Sequence, residues 1–200
     1  MRFLAVLALL AGMCHTARAA SPADEPGIKW ALKTNLLHDV VITPDVGAEL
    51  WFGKQRVSVA VESVWAWWSQ DARHRYWRVR GGWLEVRRWI GRDKTAMEGH
   101  HVGIYGSIHD FDFEFGAQGV RSPHGVWSAG VSYGYSLPVS PRLHLDFNLR
   151  VGYSRGDILK YKPQCGTYVC TGRNDWSYFG PTAVEVTLVW FPGRGSKNRP

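Results

Sequence analysis

The sequence predicts an all-β chain folded as an eight-stranded antiparallel up-and-down transmembrane β-barrel, and three observations carry that prediction. The first is alternation. From Trp127 to Leu137 every second residue is apolar or aromatic (Trp127, Ala129, Val131, Tyr133, Tyr135, Leu137), and the residues between are Ser or Gly. From Leu143 to Tyr153 the same period sets Leu143, Leu145, Phe147, Leu149, Val151 and Tyr153 against His144, Asp146, Asn148, Arg150 and Gly152. Period two marks a strand with unlike faces, but it suits a soluble sandwich as well as a membrane barrel. The second observation is length: most of the alternating runs have roughly 9–11 residues, enough to cross a bilayer at a tilt. The third is aromatic content, with 11 Trp, 8 Tyr and 8 Phe. Trp65, Trp67, Trp77 and Trp127 fall toward one end of the strands and Trp89 and Trp190 toward the other, as in the two girdles of a membrane barrel.

Taken in order, residues 1–19 read as a secretory signal peptide. Arg2 precedes the apolar run Phe3 to Met13, and Ala17-Arg18-Ala19 supplies small residues for cleavage near Ala19. Residues 20–28 form a short periplasmic lead, 29–191 the barrel, and 192–200 a basic C-terminal tail. The first run, 30–38, sets Trp30, Leu32, Thr34 and Leu36 against Lys33 and Asn35; the second, 45–52, sets Val46, Ala48, Leu50 and Phe52 against Gly47, Glu49 and Trp51. Residues 53–56 make a hairpin turn. The third run, 57–67, points Val57, Val59, Val61, Trp65 and Trp67 outward, with Ser58, Ala60 and Glu62 opposite. In the fourth run, 76–90, the phase changes at Gly81-Gly82, and a bulge there would turn Glu85 and Arg87 inward. Residues 100–109 oppose Val102, Ile104 and Ile108 to His101, Tyr105, Ser107 and His109; the two runs described first follow, and 182–190 closes the series with Glu185 and Thr187 inward. Connections alternate between short (53–56, 91–99, 138–142) and long (68–75, 110–126, 155–178), with 110–126 readable as a strand extension too. That rhythm fits small periplasmic turns and large outer loops.

Charge and cysteine usage narrow the function. Lys and Arg number 24 against 17 Asp and Glu, a formal net charge of +7 that signal cleavage lowers by Arg2 and Arg18. The excess is spread along the chain, so nucleic acid is not an expected partner. No run of eighteen apolar residues follows the signal, which excludes a helical membrane protein. Export leaves Cys165 and Cys170, and an even pair in an oxidising compartment is expected to form a disulfide that staples the last long loop. Two thiols with no histidine between them make a poor metal site, and no cofactor is implied.

The inward face collects an interior polar network of Glu49, Glu62, Glu85, Arg87, Asp146, Arg150 and Glu185. An eight-stranded barrel is too narrow to keep a water channel once side chains fill it, so these groups should pair around the two arginines as a plug. His101, Ser107 and His109 share the inward face and could in principle serve a lipid hydrolase. No nucleophile motif surrounds them, and spacing by two merely returns residues to one side of a strand. Arg73, Arg75, Arg78, Arg80, Lys160, Lys162 and Arg173 gather at the outer end, within reach of lipopolysaccharide phosphates, and read first as solvated loops.

Several segments together give a resemblance. Lys33-Thr-Asn-Leu-Leu37 with Thr43-Pro-Asp-Val-Gly-Ala-Glu-Leu50, then Gly99-His-His-Val-Gly-Ile-Tyr105, Gly130-Val-Ser-Tyr-Gly-Tyr135, Gly152-Tyr153 and Tyr178-Phe-Gly-Pro181, resemble a family of small Bacteroidetes outer-membrane barrels carrying a domain of unknown function. The resemblance implies fold and location and supplies no catalytic residue. It also implies association with surface and fimbrial gene neighbourhoods. The expectation is therefore a non-enzymatic outer-membrane protein for surface anchoring, adhesion or fimbrial assembly. Its expected partners are outer-membrane lipid and lipopolysaccharide, the outer-membrane assembly machinery, and a surface or fimbrial protein. The alternatives are a secreted soluble lipocalin-like barrel, with an apolar ligand cavity, and an outer-membrane lipid-modifying hydrolase.

Overall fold

The computed structural model describes residues 28–53, 55–70, 75–90, 96–116, 118–164 and 167–192. The expected signal peptide, nearly all of the periplasmic lead and residues 193–200 of the tail lie outside them. The elements are β1 (Ile28–Asn35), α1 (Leu36–Val40), β2 (Asp45–Phe52), β3 (Val57–Gln70), β4 (Arg75–Trp89), β5 (Gly99–Phe115), β6 (Gln118–Arg121), β7 (Val126–Ser140), β8 (Leu143–Gln164) and β9 (Thr167–Trp190). All pairings are antiparallel. They run from β4 through β3, β2, β1 and β9 to β8, and return through β7 and β5 to β4, so the hydrogen-bonded sheet closes into a ring.

The sheet has nine strands where the sequence predicted eight. The additional strand is β6, which pairs β5 at 112–115 and β8 at 159–161, directly above the place that β7 fills between the same two neighbours. Ser122-Pro-His-Gly125 interrupts this one descending path; the Ser122 N–H donates to Phe111 O at 2.9 Å, and Gly125 takes a φ of 80°. Proline lacks a ladder donor and glycine accepts the left-handed turn, so the path breaks in two.

Strands also replace predicted loops. β3 and β4 pair continuously from Val57↔Arg88 to Gln70↔Arg75, and β8 runs on to Gln164 against β9. The expected bulge at Gly81-Gly82 is absent, because register is unbroken across both glycines toward β3 and toward β5. Glu85 and Arg87 turn inward without it. The apparent phase change in the sequence is a change of environment: Trp77 and Val79 share the inward parity of Trp83 and Glu85, but sit above the polar interior. The first outer connection is the helical turn α1, begun where Asn35 Oδ1 accepts the Leu37 N–H at 3.0 Å as an N-cap.

The two faces of the sheet differ in character. The outward face exposes Leu50, Val61, Leu84, Ile104, Ile108, Val131, Leu149 and Val184, while Lys33, Glu49, Glu62, Glu85, Arg87, Asp146, Arg150 and Glu185 are buried inside. At one end Ala31, Trp51, Trp89, Ala96, Met97, Val189 and Phe191 form an apolar cluster beneath the charges. Ala96 and Met97, just before β5, are buried there, and the Met97 carbonyl meets His144 Nδ1 at 2.9 Å.

Candidate functional site

Strand parity aims one to three polar side chains from each of eight strands at the middle of the ring. At the N-terminal side, Lys33 (β1), Gly47 (β2) and Glu62 (β3) stand in register across three adjacent strands. A Cβ on Gly47 would lie 2.2 Å from Glu62 Cγ, so the missing side chain is what lets its two neighbours meet. Lys33 Nζ then sits 2.8 Å from Glu62 Oε1 and 3.3 Å from Glu49 Oε2.

Arg87 is the hub. Its Nε and Nη2 donate to Glu85 Oε1 and Oε2 at 2.9 and 3.2 Å, and its Nη1 donates to Asp146 Oδ2 at 2.8 Å and to Glu49 Oε2 at 3.2 Å. Arg150 forms a second centre, with Nη2 2.6 Å from Glu85 Oε2 and Nη1 on Glu185 Oε1. The planar fork of a guanidinium is suited to serving two or three carboxylates at once. Neutral donors fill further lone pairs of Glu49, Glu85 and Glu185. Ser132 Oγ donates to Glu85 at 2.6 Å, Asn148 Nδ2 to Glu85 and Glu185 at 3.3 and 3.2 Å, and Ser58 Oγ to Glu49. The Trp89 indole N–H donates to Ser58 Oγ at 2.7 Å and so joins the network to the apolar cluster below. Above, the Arg150 guanidinium lies over Trp83 at 4.9 Å and Tyr105 at 5.5 Å from the ring centroids, which covers the upper side of the charges.

All seven residues of the predicted network are brought into one connected cluster. Lys33, Asn148, Ser58, Ser132 and His101 join it, and His101 Nε2 meets Asp146 Oδ1 at 2.9 Å. Lys33 carried the needed signal, since it falls on the inward side of its alternating run. His101 is therefore a structural partner of Asp146, and eight residues along β5 separate it from His109, roughly 27 Å at the rise of a strand. Among the described hydrogen bonds none joins Ser107 to either histidine, so the three residues form no nucleophile and base pair.

The predicted girdle needs two corrections. Trp65 and Trp67 are 74% and 71% exposed on the outward face, and Trp127 and Trp190 are also exposed. Trp89 instead points inward at 3% exposure, because it shares the parity of Glu85 and Arg87. Trp77 lies on the inner side of the β3–β4–β5 extension, stacked on Trp68 and packed on Phe113. Of the predicted disulfide, Cys165 lies outside the described residues, and Cys170 is exposed with a free thiol. Of the outer basic residues, Arg73 lies outside the described residues. Arg78 and Arg80 share Asp110 at 3.5 and 3.0 Å, while Arg173 holds Asp157 at 2.6 Å beside His124.

At the opposite rim from the apolar cluster, His38 of α1 places Nδ1 3.0 Å from Asp45 Oδ2, and Asp45 Oδ1 accepts the Asn35 N–H at 2.7 Å. The hydrogen bond to the Asp45 carboxylate holds the His38 imidazole above its ordinary pKa, against a smaller opposing effect of burial. Among the described residues no group of three or more His, Cys, Asp or Glu could hold a metal ion.

The sequence matches the family described as "Protein of unknown function (DUF3575)" over residues 5–191. The chain belongs to the DUF3575 family. The match spans the whole closed sheet, from the first residue of β1 to beyond the last of β9. No curated protein and no solved structure gives a match. Family membership agrees with the resemblance read from the sequence. The DUF3575 description carries no activity that could be transferred to the buried charges.

Proposed function

We propose that this protein is an outer-membrane β-barrel with a plugged polar interior, a non-enzymatic anchor or adhesion component of the cell surface. In this reading β6 and β7 share one position, so the ring has eight barrel positions. One observation carries it: apolar residues face out on every long strand, and the buried charges face in and pair with one another. In water that outward face would be an aggregation hazard; in hydrocarbon it is the solvated surface, and a closed sheet leaves no backbone edge within the bilayer. β1 and β2 each have eight residues, close to what spans the hydrocarbon at a tilt. The far longer β8–β9 hairpin then projects outside. A lipocalin-like carrier would require an apolar cavity where this interior holds paired charges.

The interior is built for rigidity and not for turnover. Each ion pair in it is made between groups already buried. The binding capacity therefore belongs to the projecting strands. The test is extraction and gel mobility. The protein should remain with membranes through alkaline carbonate, enter detergent, and migrate differently before and after boiling, because a closed sheet resists the detergent. Release into the aqueous fraction with no boiling shift would reject the membrane reading.

A further inference from the structure

The ring closes through a narrow seam. β1 pairs β9 only from Leu32↔Trp190 to Asn35↔Thr187. Above that level β9 has β8 on one side up to Gln164↔Thr167, with register shifts at Thr182 and Thr171, and among the described residues no strand pairs with its other side. The lower part of this edge is guarded: α1 lies against β9, and Pro181 has no N–H to offer. From Val169 to Gly180, roughly 40 Å at the rise of a strand, the edge has no lysine and no proline, and its one irregularity is a bulge at Thr171 near the upper end.

Natural sheets blunt long edges with lysines, prolines, bulges or coverage. This one has few such devices. Its residues are Val169-Cys-Thr-Gly-Arg-Asn-Asp-Trp-Ser-Tyr-Phe-Gly180, with Val169, Tyr178 and Phe179 exposed and Trp176 stacked on Tyr178 at 6.0 Å. The two charges, Arg173 and Asp175, are of opposite sign and impose no net repulsion. Tyr, Trp, Phe and Arg are the residues enriched in protein interfaces.

We propose that the Val169–Gly180 edge of β9 is a strand-docking site that takes an extended segment of a partner protein as an additional antiparallel strand. That the edge faces the cell exterior rests on the barrel reading above. A row of alternating N–H and C=O groups is matched by another peptide backbone, and that chemistry commits the occupant to a polypeptide in extended form. A second copy in the same membrane is a poor occupant. Both copies run β9 toward the membrane, and antiparallel pairing of the two edges would require one of them to be inverted. β1 begins at Ile28 and β9 ends at Trp190, both at the other end of the ring.

The test uses the full chain in detergent micelles under reducing conditions, and the probe is a set of short peptides selected against it from a displayed random library. Hydrogen exchange at each β9 amide is the readout. The selected peptides should slow exchange within Val169–Gly180 at least tenfold, and N-methylation of alternate peptide amides should weaken their binding at least tenfold with side chains unchanged. Failure to select any binder, protection of another segment, or binding indifferent to N-methylation would overturn the proposal. Edge protection that grows with protein concentration in the absence of peptide would identify a second copy as the occupant and overturn the assigned partner. A missing boiling shift would count against the membrane reading alone, since the open edge follows from sheet pairing and the exchange experiment runs equally on soluble protein.

Discussion

Replacing Arg87 with Met is the most demanding test of the interior. The methionine keeps the length and apolar stem of the side chain but removes all four donor contacts, to Glu85 twice and to Glu49 and Asp146 once each. Arg87 is 1% exposed, and so is each carboxylate or less, so water cannot replace what is lost without opening the ring. Charged hydrogen bonds contribute about 1.5–3 kcal/mol each before desolvation is counted, and desolvation offsets much of that sum. What remains on deleting one partner is the cost of leaving its counter-charges buried, about 3–5 kcal/mol. That is roughly two to four powers of ten in the folded-to-unfolded ratio. The assay is urea titration in detergent micelles at neutral pH, following the folded band on an unboiled gel. Arg88→Met is the control, because Arg88 is the next residue on β4 and points outward; its midpoint should move by no more than about 0.5 kcal/mol. Arg87→Lys should recover only part of the loss, since an ammonium lacks the planar fork that reaches three carboxylates. Equal midpoints for Arg87→Met and Arg88→Met would refute the reasoning, because they would mean that the interior charges are hydrated and contribute independently.

Other outcomes follow from the same geometry. Ile104→Arg, at a 65% exposed position on the outward face, should cost about 2–4 kcal/mol in a bilayer; in a soluble protein the same change would shift the urea midpoint by about 0.5 kcal/mol or less. Because the bond to Asp45 raises the His38 pKa, the stabilisation from that pair is fully present below the unfolded value of about 6.5 and is lost as pH rises through the folded value. Denaturant midpoints measured across that range should show the decline in the parent and a flatter profile in His38→Gln. Gly134→Ala would put a Cβ 2.4 Å from His101 Cε1 and 2.5 Å from the Phe147 carbonyl, and should destabilise by about 1–3 kcal/mol, read as a lower urea midpoint. In planar bilayers the protein should give no steady ion-sized conductance steps, since side chains fill the interior of a barrel this narrow.

Much of the interior was legible because parity is local. Glu49, Glu85, Asp146, Arg150 and Glu185 each sit between apolar neighbours, and a strand has only two sides. Lys33 was visible on the inward side but not its importance, which depends on β1, β2 and β3 lying in register with Gly47 in the middle. Trp89 was misplaced by position along the strand, although its parity with Arg87 already turned it inward. The upper halves of β8 and β9 could not be read. Gly156, the adjacent Ile158 and Leu159, and Pro163 spoil the alternation, and those residues are strands because a hairpin partner holds them. β6 has only four residues and no periodicity to detect.

The way the charges are shared between the two ends of the chain has a consequence for how the ring assembles. Lys33, Glu49, Glu62, Glu85 and Arg87 come from the first four strands, and Asp146, Asn148, Arg150 and Glu185 from the last two. The halves exchange partners: Arg87 crosses to Asp146, 59 residues away, and Arg150 crosses back to Glu85, 65 residues away. Each half alone therefore holds a surplus carboxylate facing what will become the interior. A half-formed sheet can keep that group only while water still reaches it. Expelling the last water and joining the two ends of the chain become a single event, which acts as a proofreading step: a ring closed in the wrong register would strand a charge and reopen.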